Sequence, residues 1–108
     1  MRRGDIVTVA VPGDYGKPRP GVVVQTDAFP ATHASVVVCQ MTSVLTDVSF
    51  RVTIEAHANN GLQTASQIMA DKPITVRREK IGPRIGRLTD SEIGQLNGAL
   101  AFVMGLAD

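Results

Sequence analysis

The segment from Thr89 to Gly105 has the sequence TDSEIGQLNGALAFVMG, and at its start the hydrophobic pattern of the chain changes period. Thr89 and Glu92 have the spacing of a capping box, and Gly105 supplies a typical C-terminal stop. Apolar residues recur between them at three- and four-residue spacing, which is the pattern of one helix face: Ile93, Leu96, Leu100 and Val103. The segment therefore predicts a single amphipathic helix at the C-terminal end of the sequence.

The sequence before this helix consists of β-branched runs separated by turn residues. Strands are predicted at 5–11, 22–26, 35–41, 49–55, 65–70 and 74–78, with a brief strand at 84–88. A loop is expected at 12–18, a turn at Asp71-Lys72-Pro73, and a central position for the strands at 22–26 and 35–41. These elements predict a mainly β fold, a small antiparallel barrel or sheet closed by the C-terminal helix.

Length and composition limit the function classes. The 108 residues fit one domain, 1–108, and the 44% hydrophobic and 19% charged residues are ordinary globular usage. No apolar run approaches the length of a membrane span, and the first residues lack a secretory signal, so we expect a cytoplasmic protein without membrane contact. One cysteine and two distant histidines argue against a disulfide scaffold or structural zinc, and we expect neither metal nor cofactor.

The charge is unevenly distributed, although the net charge is only +1. Between residues 77 and 87 a single acid, Glu79, faces five basic residues: Arg77, Arg78, Lys80, Arg84 and Arg87. Such a cluster is suited to binding nucleic acid, because basic side chains that neutralise phosphates release the counterions condensed on the nucleic acid. On charge alone, a solvated basic face is the commoner explanation.

Several motifs, taken in their order and spacing, resemble the MazF/PemK family of toxins from bacterial type II toxin–antitoxin modules. They are Arg3-Gly4-Asp5-Ile6-Val7, the RPGVVVQ run at 19–25, Gln40-Met41-Thr42-Ser43 where the family usually shows Pro-Ile-Thr-Ser, Gly61-Leu62, Ala65-Ser66, and IGRLTD at 85–90. The resemblance covers nearly all of the chain. It implies an SH3-like antiparallel barrel with a C-terminal helix, working as a homodimer.

The resemblance also implies an activity and partners. The expected protein is a sequence-selective, ribosome-independent endoribonuclease that cleaves single-stranded mRNA by 2′-hydroxyl attack without a metal. A cognate antitoxin would neutralise it, and contact with DNA would arise only through the antitoxin complex. The alternative is a non-catalytic module, or a gyrase poison like CcdB, which is similar in fold. CcdB relies on a C-terminal Trp-Gly-Ile, whereas this chain has no tryptophan and ends Gly105-Leu106-Ala107-Asp108.

Three catalytic residues follow from the resemblance. Arg19 matches the family arginine at the scissile phosphate, where its guanidinium would mainly stabilise negative charge. From composition alone, Arg19 would be interpreted as a solvated arginine at the start of a strand. Thr42 matches the active-site threonine, whose hydroxyl can donate to a phosphate oxygen; alternatively it caps a turn. Asp71 falls where the PemK branch carries a catalytic aspartate, which would accept the 2′-hydroxyl proton; alternatively it caps a turn before Pro73.

The chain departs from the PemK branch at two positions. Met69 replaces the arginine expected two residues before Asp71, and the histidine expected in the first loop is missing around Asp14-Tyr15. Both departures put a strict three-residue mechanism in doubt.

The remaining candidates concern RNA binding and isolated reactive groups. Tyr15 and Phe29 are the plausible platforms for base stacking. His33 and His57 match no family motif and are expected in loop or surface roles, and Cys39 is expected to be a buried, inert thiol. The predicted RNA-binding residues are Lys17, Ser43, Lys72, Arg77, Arg78 and Lys80.

Overall fold

The structure, a computed structural model, describes residues 1–11 and 17–106. Within them, six strands and one α-helix follow one another: β1 (Asp5–Val9), β2 (Arg19–Val23), β3 (Ser35–Thr42), β4 (Arg51–Ile54), β5 (Ser66–Arg77), β6 (Ile81–Arg87) and α1 (Asp90–Val103). A 3₁₀ turn at Arg78–Lys80 joins β5 to β6. The predicted mainly β fold with one C-terminal helix is confirmed.

All six strands form one antiparallel sheet with the order β4-β5-β3-β2-β1-β6. The predicted central position of β2 and β3 is confirmed. In the described residues β4 and β6 are the two ends of the sheet and do not pair with each other, so the hydrogen-bonded ladder is open where a closed barrel was one of the expected forms. No helix among these residues is long and apolar enough to cross a membrane.

Apolar side chains cover both faces of the sheet. On one face Ile6, Val22 and Cys39 pack with Leu96 and Ala99 of α1. On the other face, Val7, Val9, Val23, Val36 and Val38 form a second cluster, against which Ile74 and Val76 of β5 and Ile81 of β6 pack. Because three strands separate β5 from β6 in the sheet order, this shared cluster requires the sheet to curl around it.

The predicted turn at Asp71-Lys72-Pro73 is wrong, and so is the division into two short strands. β5 runs without interruption from Ser66 to Arg77. Its ladder with β3 is irregular instead, because Ile68 faces Met41 and Pro73 faces Cys39, so four residues of β5 lie opposite Gln40 alone. Proline cannot donate to a ladder, and a bulge accommodates it without breaking the strand. The bulge contains Met69 and Asp71.

Strand boundaries move where the sequence lacks β-branched residues. β2 begins at Arg19 rather than at residue 22, because Arg19 and Pro20 lie opposite Val9 and Thr8 of β1. In the same way β6 begins at Ile81, three residues before its predicted start, through pairing with Val9. Pairing with a neighbouring strand outweighs local propensity at these positions. Of the predicted loop at 12–18, residues 12–16 lie outside the described part of the chain.

Both ends of the helix lie where the sequence predicts them. The Thr89 hydroxyl accepts a hydrogen bond from the Glu92 N–H, and the Glu92 carboxylate accepts one from the Thr89 N–H, which completes the capping box. At the other end Gly105 has a φ of +71°, and the Leu106 N–H donates to the Ala101 carbonyl at 2.8 Å. This is the left-handed glycine stop of a Schellman motif.

Candidate functional site

A cleft lies where β2 begins and β3 ends. Gly21 pairs with Gln40 in the antiparallel ladder, and the same register continued by two residues places Arg19 opposite Thr42. Both side chains line the cleft, whose volume is about 310 Å³, together with Gln40, Met41, Ser43, Val44 and Met69. The structure thus brings together two of the three predicted catalytic residues and one predicted RNA-binding residue, Ser43.

Arg19 is held at this position by its backbone. It pairs with Val9 of β1 as the first residue of β2, and its side chain is exposed. Pro18 and Pro20 flank it, and each proline fixes its own φ and disfavours helical geometry in the residue before it. The guanidinium therefore extends from a backbone that has little freedom to move.

Thr42 is the last residue of β3, and its hydroxyl already has one partner. The Thr42 Oγ1 accepts a hydrogen bond from the Val44 N–H at 3.1 Å, so the threonine does cap the turn after β3. A hydroxyl that accepts one bond still carries its own proton as a donor. Turn capping and donation to an anion in the cleft are therefore compatible.

Asp71 is not among the residues that line this cleft. Its carboxylate is bound by Arg51 of β4, with Nε to Oδ1 at 3.0 Å and Nη2 to Oδ2 at 3.2 Å. The hydrogen bonds from Arg51 hold the pKa of the Asp71 carboxyl below its ordinary value, despite partial desolvation. The alternative that Asp71 caps a turn is wrong, because residue 71 lies inside β5. Arg51 pairs directly with Met69, which links this ion pair to the cleft wall.

The other predicted RNA-binding residues are distributed over the surface. Lys17 and Lys72 are exposed, the former just before β2 and the latter within β5. Arg77 is exposed and lies 3.8 Å from the Glu79 carboxylate. Lys80 is exposed in the 3₁₀ turn, whereas Arg78 lines a different cleft that also contains Phe29. The basic segment as a whole therefore does not line the Arg19 cleft.

The isolated reactive groups lie mostly where they were expected. Cys39 is fully buried, and burial raises the pKa of its thiol to about 11, so the prediction of a buried thiol is confirmed. His33 and His57 are both exposed in loops. Tyr15 lies outside the described residues. No group of three or more His, Cys, Asp or Glu side chains converges as a metal site within residues 1–11 and 17–106.

Arg51 is the residue that sequence reasoning missed. The alternation along β4 predicts its polar face but not its partner, because that partner depends on the register of β4 against β5. The opposite charges of Arg51 and Asp71 give no pairing signal by themselves over twenty residues of separation. A bidentate pair of this kind becomes visible only when the strands are aligned.

Comparison with known proteins agrees with this fold. Residues 2–104 match the family described as PemK-like, MazF-like toxin of type II toxin-antitoxin system. The probable endoribonuclease MazF of Mycolicibacterium smegmatis is 44% identical over an alignment of 109 positions, which covers 99% of this chain and 99% of the relative.

Two solved structures share the fold at lower identity. One is an endoribonuclease in complex with its cognate antitoxin from a mycobacterial species, with a TM-score of 0.82, 23% identity, and coverage of 98% of this chain and 96% of that chain. The other is a MazE-MazF structure from Deinococcus radiodurans, with a TM-score of 0.79, 20% identity, and coverage of 97% and 95%. The chain described here belongs to the PemK-like, MazF-like family of type II toxin–antitoxin toxins.

Proposed function

We propose that this chain is the toxin of a toxin–antitoxin pair and a sequence-selective, ribosome-independent endoribonuclease that cleaves single-stranded mRNA. The observation that carries the proposal is the position of Arg19 and Thr42 in one cleft, at the adjoining ends of β2 and β3. A full-length relative named as a probable endoribonuclease supports the same activity. Because its substrate is mRNA, we assign the activity to the cytoplasm.

The proposed reaction is attack of a ribose 2′-hydroxyl on the adjacent phosphorus. The P–O5′ bond breaks, the departing 5′-oxygen takes up a proton from water, and the products are a 2′,3′-cyclic phosphate and a 5′-hydroxyl. The crowded phosphorane carries extra negative charge, which Arg19 stabilises with its planar pair of donors. The Thr42 hydroxyl donates a hydrogen bond to a non-bridging phosphate oxygen. Both groups contribute donors that are already in position before the charge develops.

Asp71, two residues along β5 from Met69 of the cleft wall, is our candidate for the base that accepts the 2′-hydroxyl proton. The Arg51 hydrogen bonds that lower its pKa keep it ionised at neutral pH, which is the state a base requires. The same hydrogen bonds reduce its proton affinity, so it is a weaker base than a carboxylate with a pKa near neutrality. We therefore propose that Arg19 and Thr42 contribute the larger part of the rate, with Asp71 as the lesser contributor.

Binding to RNA and to the antitoxin depends on the surface outside the cleft. Ser43 lies beside Thr42, and we assign RNA-phosphate contacts to it and to the basic residues Lys17, Lys72, Arg77, Arg78 and Lys80. The cognate antitoxin binds the same basic surface through an acidic segment and excludes RNA from it. We propose a homodimer as the working form, with DNA contacted only through the antitoxin complex.

The test of this proposal is cleavage of a defined single-stranded RNA in the presence of EDTA. We expect fragments with 2′,3′-cyclic phosphate and 5′-hydroxyl ends, identified by mass spectrometry, and equal rates with and without EDTA. Fragments with 5′-phosphate ends, or activity abolished by EDTA, would contradict the mechanism. Inhibition of gyrase without RNA cleavage would favour the CcdB-like alternative, which the family match does not favour.

A further inference from the structure

The described residues form another cleft at the opposite end of β2, which we call the Phe29 cleft. Its volume is about 380 Å³, and Arg2, Asp27, Phe29 and Arg78 are among the residues that line it. Val23, the last residue of β2, lines it as well. Since Arg19 is the first residue of the same five-residue strand, about 13 Å of extended backbone separates the two clefts.

Arg78 is fixed in the Phe29 cleft by two hydrogen bonds to the loop that precedes β3. Its backbone N–H donates to the Ala34 carbonyl at 2.9 Å, and its Nε donates to the His33 carbonyl at 2.7 Å. Its two Nη atoms make no hydrogen bond or ion pair with any residue in the described ranges. An anchored guanidinium with unused donors is suited to phosphate, because little side-chain entropy remains to be lost on binding.

Phe29 supplies an aromatic surface beside this guanidinium. Its side chain is 48% exposed, and its ring centroid lies 4.6 Å from that of His33. The loop that carries it is folded on itself, since the Ala28 N–H donates to Thr26 Oγ1 at 3.1 Å and the His33 N–H donates to the Pro30 carbonyl at 2.9 Å. A held, half-exposed ring next to cations is the combination that binds the bases of single-stranded nucleic acid.

Asp27 adds a hydrogen-bond acceptor to the Phe29 cleft. Its Oδ1 accepts the Arg3 N–H at 2.8 Å, whereas its Oδ2 has no donor among the residues that the structure describes. The amino groups of bases can donate to such an oxygen. An acidic peptide would also gain from Arg2 and Arg78, but it would leave Phe29 without a base to stack on and the Asp27 oxygen without a base amino group as donor. The combination of stacking surface, anchored cation and acceptor therefore favours a nucleotide over an acidic protein segment.

We infer that the Phe29 cleft binds one nucleotide of the single-stranded RNA, with the base stacked on Phe29 and a phosphate on Arg78 and Arg2. The inference rests on the proposed function, because the same RNA strand occupies the Arg19 cleft. The bound nucleotide lies some positions away from the scissile bond, and Asp27 makes the cleft selective for bases that carry an amino group. This cleft extends the recognised sequence beyond the nucleotides at the cleavage site.

The test compares two RNAs, one with flanking nucleotides on both sides of the cleaved bond and one limited to the cleaved step. For Phe29→Leu, which keeps apolar bulk but removes the ring, we expect the KM for the long RNA to rise roughly fivefold to a hundredfold. Its kcat should remain within about twofold, and the short RNA should be unaffected. Phe29→Tyr keeps the ring and should retain the wild-type KM. A plot of the logarithm of RNA affinity against the logarithm of salt concentration should be less steep for Arg78→Gln. The difference in slope should correspond to about one phosphate contact.

Val48→Ala is the matched control, because Val48 is also an exposed apolar residue, at 37%, but lies in the loop before β4 and is not among the residues that line either cleft. Circular dichroism melting checks that each variant is folded. An unchanged KM of Phe29→Leu for the long RNA overturns the inference, and so does a loss of antitoxin affinity without a change in RNA affinity. If the wild type cleaves no RNA, the proposed function fails, and fluorescence anisotropy with the long RNA still shows whether Phe29→Leu weakens binding.

Discussion

Arg19 and Thr42 are the residues on which the proposed chemistry most directly depends. We expect Arg19→Ala to lower the cleavage rate by about a hundredfold or more, the usual effect of removing one positioned donor from a developing charge. Thr42→Ala should impair the rate less, because the hydroxyl is one donor among several. Initial rates on a defined RNA measure both effects, and the exposure of Arg19 predicts an unchanged melting temperature.

Conservative substitutions distinguish the roles of these two side chains. Arg19→Lys keeps the charge but loses the planar donor pair, so it should recover only part of the activity. Thr42→Ser keeps the hydroxyl and should recover most of it. Wild-type cleavage by a folded Arg19→Ala variant would place the reactive site elsewhere in the molecule.

Asp5 makes the stability of the protein depend on pH. Burial raises the pKa of this carboxyl, but the Arg2 N–H and the side chains of Arg87 and Arg84 outweigh burial and lower the pKa below its ordinary value. A group whose folded pKa is lowered contributes stability above its unfolded pKa, and that contribution is lost as the pH falls through the folded pKa. The stabilisation by Asp5 is therefore complete at neutral pH and declines below about pH 4.

Asp5→Asn tests this dependence. At pH 7 we expect it to lower the free energy of unfolding by about 2 kcal/mol, because charge-assisted hydrogen bonds to a buried carboxylate are lost. At pH 3 the difference from the wild type should be smaller. Urea unfolding followed by far-ultraviolet circular dichroism measures both values. Asp47→Asn, in an exposed loop, is the control, and an equal effect of Asp5→Asn at both pH values would contradict the account.

At the scale of elements, α1 depends on its N-terminal cap. Thr89→Ala removes the hydroxyl that accepts the Glu92 N–H, and we expect it to lower the free energy of unfolding by about 1 kcal/mol. Thr89→Ser should restore nearly all of the stability, and Ser91→Ala, at an exposed position in the same turn, should change it by less than about 0.5 kcal/mol. Thermal unfolding is the measurement. A larger loss of stability for Ser91→Ala than for Thr89→Ala would show that the Thr89 cap does not determine the stability of the helix.

Local chemistry decides which elements the sequence predicts correctly. The helix is predicted with its ends because the capping box and Gly105 are signals that neighbouring residues complete by themselves. The full length of β5 is not predicted, because Asp71-Lys72-Pro73 has the composition of a turn. Only pairing with β3 and β4 shows that the strand continues through a bulge. In the candidate site, too, some residues are predictable from the sequence and others are not. Arg19 and Thr42 stand on motifs, whereas the partner of Asp71 is set by strand register.

At the scale of the whole molecule, several large apolar residues are more than half exposed in the part of the chain that the structure describes. Leu106, Phe102 and Met104 at the end of α1 are 77%, 57% and 55% exposed, and Val44 and Leu45 after β3 are 69% and 51% exposed. Among the described residues, β4 and β6 each pair with only one other strand of the sheet. A second copy of the chain would bury such surfaces, and a stable interface needs about 800 Å² from each partner.

We therefore expect a homodimer in solution, with a mass of twice the 11.5 kDa of one chain. Light scattering coupled to size exclusion at micromolar concentration measures it directly. Because the partly exposed apolar residues after β3 adjoin Thr42, dimer formation should also hold the Arg19 cleft in place, so RNA cleavage per chain should fall on dilution below the dimer dissociation constant. A monomer mass at micromolar concentration, together with a cleavage rate per chain that is independent of dilution, would contradict the assignment, since each chain would then carry a complete site.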